Sequence, residues 1–179
     1  MPAGGKVARR LAWYWQVELA NAAMVPVFVL LVAAAYGGGA GWAVLVTLVP
    51  VIGLLVIGGL YWRGKLHEIG GDARALDTVL ALADRCQRPL LVLTGLALVL
   101  GMGGFFMPIL SATAADRWAA FGASILALAE YVNYYHRQLQ HFDNWPDFKR
   151  LLSGRGFRPA KMAVDLAAWR AGRRSQECA

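Results

Sequence analysis

Glu130, Asn133, Tyr134, His136 and Arg137 stand together in EYVNYYHR, at the end of a long apolar run, and Glu18 with Asn21 repeats the acid–amide pairing near the start of another. Steps of three or four residues put Glu130, Asn133 and the His136/Arg137 pair on one helical face. A carboxylate inside a membrane segment is costly, so it marks a site for a proton, a cation or a headgroup unless its neighbours satisfy it. In the plainer of two readings, Glu, Asn, Tyr, His and Arg hydrogen-bond one another and cap a helix bundle where it meets water. In the sharper reading the two faces meet. Glu18, Asn21, Glu130, Asn133 and His136 then frame a polar pocket at the inner leaflet, able to hold a metal, a lipid headgroup or a quinone-like ring.

Other chemistries find little support in the residues. Di-iron bundles use paired Glu-x-x-His, whereas this face reads Glu-x-x-Asn-x-x-His, and an amide is a poor ligand for iron or zinc. His67, His136 and His141 all fall at or beyond helix ends, where axial haem ligation is not expected. There is no GxSxG, CxxC, HExxH or GxxxxGK[ST], and Cys86 and Cys178 have no partner at metal or redox spacing. No cofactor, metal or catalytic residue is therefore assigned, and an enzyme is the less favoured class.

The elements that must position these groups are membrane helices. Of 179 residues, 58% are hydrophobic and 16% charged, against roughly 45–50% and 25% in a soluble domain. Four runs reach the length of roughly 20 apolar residues that a bilayer requires: 17–36, 42–62, 90–112 and 118–135. Glu18 and Asn21 interrupt the first run, which argues for a span rather than a signal peptide. Pro26, Pro50 and Pro108 are expected to kink the runs, Trp and Tyr residues mark their borders, and glycines such as Gly58, Gly59, Gly101 and Gly103 allow close helix contact. The expected fold is thus all-α: a polytopic membrane protein with a four-helix bundle over residues 1–135 and a basic amphipathic tail over 136–179.

Charge sets the orientation. Three basic residues precede the first run, five lie between the second and third, and nine follow the fourth, which leaves Arg117 alone on the other side. By the positive-inside rule both termini are cytoplasmic, in a bacterial inner (plasma) membrane. Between runs two and three, residues 72–87 read as a short amphipathic helix, opened by Gly70-Gly71, capped by Asp72, with Leu76, Val79, Leu80 and Ala83 on one face. In the tail, Asn144 is placed to cap a helix carrying Trp145, Phe148, Leu151 and Leu152. Beyond Pro159, Met162, Leu166 and Trp169 form a stripe beside Lys161, Arg170, Arg173 and Arg174. Those four cations suit an anionic leaflet, and with no binding motif in a membrane-tethered tail nucleic acid is not an expected partner. Residues 77–89 and 147–159 share an Asp, an apolar middle and a final Arg-Pro, a similarity read as chance rather than duplication.

Three functions compete on this reading. The leading expectation is an accessory or scaffold subunit that docks a membrane partner, a second copy or anionic lipid through its cytoplasmic face. The alternatives are a proton-coupled small transporter using Glu18 and Glu130, and a membrane enzyme or ligand-binding protein with a lipid or quinone site at the inner leaflet.

Overall fold

A computed structural model describes residues 3–37, 41–111, 113–139 and 156–177. Among them the regular structure is all helical, with no strand. The helices are α1 (Ala3–Gly37), α2 (Trp42–Ile69), α3 (Ala73–Gly103), α4 (Ala114–Tyr135) and α5 (Lys161–Glu177), with a 3₁₀ turn at Pro108–Leu110. Three of them, α1, α2 and α3, are long and apolar enough to cross a membrane. At 22 residues, α4 carries Asp116, Arg117 and Glu130 and is not one of the three.

The central helix is α2, packed against α1, α3 and α4, while α1 and α4 meet over a shorter stretch. Its buried face of Val51, Leu54, Leu55, Ile57 and Tyr61 forms the main core with Leu76, Leu80 and Leu90 of α3 and Ala127, Tyr131, Tyr134 and Tyr135 of α4. Close approach depends on glycine at two places. A Cβ on Gly58 would fall 2.2 Å from the Tyr134 ring, and one on Gly101 would fall 3.0 Å from the Ala120 carbonyl oxygen and 3.1 Å from the Phe121 Cα. Backbone at Gly101 cannot swing aside as a ring end can. Gly101→Val is therefore expected to destabilise the bundle by about 1–3 kcal/mol. Gly122→Val, which points into open space, should stay within about 0.5 kcal/mol. Thermal unfolding of the two variants in one detergent checks the contrast.

At the end of the bundle where α1 finishes, Asp116 is 2% exposed. Its Oδ1 accepts from the Gly41 N–H at 3.0 Å, and Thr113 Oγ1 caps α4 by accepting from the Asp116 N–H at 3.1 Å. One buried carboxylate thereby ties the start of α2 to the start of α4, a role sequence reasoning did not anticipate.

Several sequence expectations need correction. The amphipathic segment 72–87 and the third apolar run are one continuous helix, α3, with Pro89 inside it. The proline costs only the bond to the carbonyl of Arg85, an exposed residue, so water can replace it. Asp72 holds the N-cap position of α3 but makes no side-chain cap bond. The third run stops at Gly103 instead of 112. Past it, Gly104, Phe105 and Phe106 make a turn, Pro108 opens the 3₁₀ segment, and Phe106 and Ile109 lie 81% and 82% exposed. Helix α1 starts at Ala3, well before Val17. The helix expected after Asn144 and most of 147–159 lie outside the described residues.

The largest correction concerns α5. Met162 and Leu166 are each 2% exposed and belong to the bundle's main core, with Trp169 packed against it. The stripe assigned to a lipid surface is spent on α2, α3 and α4.

Candidate functional site

Polar bonds hold α5 under the bundle. Tyr61 Oη donates to Asp165 Oδ2 at 2.7 Å, and Lys65 Nζ lies 2.9 Å from the same oxygen and 2.8 Å from Glu68 Oε2. Trp169 Nε1 donates to Asp77, and Arg170 donates through Nε to Asp84 at 2.6 Å and through a terminal nitrogen to Gln87. Arg170 is thus committed to α3, Arg173 lies over the Trp169 ring, Arg174 is exposed, and Lys161 lies 5.8 Å from the centre of the Trp62 ring. Because Tyr61 is 1% exposed, Asp165→Ala would strand its hydroxyl in the core. That loss should cost about 1–3 kcal/mol, against about 1 kcal/mol or less for Tyr61→Phe, which removes donor and need together. Unfolding midpoints of the two variants test this order.

The start of α5 also closes a mixed cleft. A cavity of about 920 Å³ runs between α1 and α4. Its wall is apolar at Val17, Val25, Leu55 and Leu126, and aromatic at Trp13, Tyr14 and Trp62. Arg10, Arg158 and Lys161 make its border basic. Glu18, Asn21 and Glu130 line the same space. Beside it lies a pocket of about 40 Å³ that shares Glu18, Trp62, Gln138 and Lys161 and adds Tyr61, Asn133, Tyr134 and Met162.

The acid–amide faces do come together. Glu18 and Glu130 face the same cleft from α1 and α4, and Tyr134 lines the side pocket with Glu18. The Tyr134 hydroxyl is buried without a well-formed hydrogen bond. Asn133 Nδ2 reaches Glu130 Oε2 at 3.5 Å, a weak contact, while its Oδ1 accepts from the Leu139 N–H at 2.9 Å and so secures the chain leaving α4.

No protein-family model, curated protein or solved structure matches this chain.

His136 and Arg137 leave the site. His136, at the C-cap of α4, is exposed and stacks on Tyr131. Arg137 bonds the Phe157 carbonyl and bridges to Pro159, and Gln138 N–H to Arg158 carbonyl and Ala160 N–H to His136 carbonyl bonds complete a short clasp. The reason is local: once Asn133 bonds Leu139 the helix has ended, so residues 136 and 137 no longer follow the face of Glu130. Trp62, Leu55 and Leu126 were missed as site residues because their place depends on how helices pack, and Lys161, expected to face an anionic leaflet, lines the cleft. Trp62, at the end of the second apolar run, was visible in sequence, but as an anchor.

Proposed function

We propose that this protein is a four-span inner-membrane protein with cytoplasmic termini that binds a phospholipid in the cleft between α1 and α4. The observation that carries the reading is that one cavity combines apolar, aromatic and basic lining, which along α1 runs from Arg10 past Trp13 and Tyr14 to Val17 and Val25. Acyl chain, interface and phosphate follow the same order in a lipid, and the match of concave apolar surface with a few converging polar groups is what ligand sites share.

Support for the topology comes from the packing. The start of α1, the α2–α3 turn and α5 gather at one end, since Arg10, Trp62 and Lys161 line one cleft and α5 bonds Lys65 and Asp77. Among the described residues, Arg10, Lys65, Lys161 and Arg170 lie at that end, as expected of a cytoplasmic face. At 22 residues, α4 is about 33 Å long and matches the hydrocarbon core of roughly 30 Å.

Docking of a partner on the cytoplasmic face has less to rest on, because the apolar stripe of α5 is already covered. Native mass spectrometry of the protein, extracted and exchanged into a mild detergent, tests the lipid reading. A retained phospholipid at one per chain is expected; a chain free of lipid under gentle extraction contradicts it.

A further inference from the structure

Glu18, 9% exposed, and Glu130 line the same cleft from α1 and α4. Among the described residues no Lys, Arg or His lies within ion-pair distance of either carboxylate; the ion pairs formed there use Glu68, Asp72, Asp84 and Asp165. Two neighbouring anions away from bulk water require a proton or a positive group between them. A second observation points to a ligand. Tyr134 is 4% exposed, and its hydroxyl, beside both carboxylates and lining the smaller pocket with Glu18, has no well-formed hydrogen bond. The O–H can turn to either carboxylate as acceptor, and the hydroxyl oxygen is then left to accept from a bound donor.

Resting on the lipid-cleft reading above, we propose that Glu18, Glu130 and Tyr134 form a binding site for an ammonium group, the amine of an aminophospholipid headgroup. The amine supplies three N–H donors, one for each carboxylate and one for the tyrosine oxygen. Its phosphate then lies toward Lys161, which shares the smaller pocket with Glu18. Trp62, bordering both cavities, adds an aromatic face of the kind that attracts cations.

The test titrates the full chain in detergent with three short-chain probes: phosphatidylethanolamine, phosphatidylglycerol and dodecylamine. Phosphatidylethanolamine is expected to bind at least about tenfold more tightly than phosphatidylglycerol. In the E18Q/E130Q variant that preference should fall to about twofold or less, and Tyr134→Phe, which disturbs packing least, should weaken it in part. Dodecylamine binding as tightly as the lipid, with the same dependence on the two glutamates, would also support the ammonium site but make the free amine a sufficient ligand. Equal binding of both lipids, unchanged by E18Q/E130Q, overturns the ammonium site and leaves the lipid cleft standing. No binding of any probe overturns both.

Discussion

Leu126→Trp should strip phospholipid from the protein while leaving the fold intact. Leu126 lines the cleft from α4, one turn before Glu130, and is only half-buried. Leu126 packs on the main core with one side, but the larger ring system has the open cleft to grow into, so the overpacking penalty should be small. Titrations followed by native mass spectrometry should show affinity reduced by about tenfold or more, a loss of about 1.4 kcal/mol of binding or above. The unfolding midpoint should move by no more than about 2 °C. A large drop in the midpoint would mean that the cleft is closed in the folded protein.

The second large effect belongs to α5. Met162→Ala with Leu166→Ala removes two side chains that are each 2% exposed in the main core, and each truncation should cost about 2–5 kcal/mol. The remaining links from Lys65, Asp77 and Asp84 are partly exposed and should add roughly 1 kcal/mol or less apiece. Helix α5 should therefore undock while α1 to α4 stay folded. Trypsin cleavage at Lys161 and Arg170 should speed up by at least about tenfold, and lipid should be lost too, since Lys161 closes the cleft. Unchanged cleavage would show that α5 is held by something other than this stripe.

Much of the fold could be read from residues 42–62 and 118–135 alone. The predicted start of α2 at Trp42 and the end of α4 at Tyr135 coincide with the helix bounds found, because aromatic anchors and glycine turns are local signals. Pro89 misled for an equally local reason: in isolation it reads as a stop, and only its exposure and the packing of Leu76, Leu80 and Leu90 along one face keep α3 unbroken. The stripe of Met162, Leu166 and Trp169 could not be assigned from sequence, since a bilayer surface and a bundle end demand the same amphipathic pattern. What fixed the choice was Asp165, Trp169 and Arg170 finding Tyr61, Asp77 and Asp84 across the chain. At the site, spacing identified Glu18, Asn21, Glu130 and Asn133, which do meet along one cleft and its side pocket. It overreached at His136, because periodicity continues only while the helix does.

The most direct measurement is photo-crosslinking with a phospholipid carrying a photoactivatable group near the top of its acyl chain, followed by peptide mapping. If the cleft is a lipid site, adducts concentrate on Val17, Val25 and Leu126, and Leu126→Trp abolishes them. Adducts spread evenly over outward-facing residues such as Leu91, Val92 and Val99 of α3, insensitive to that substitution, would show only the surrounding bilayer and contradict the account.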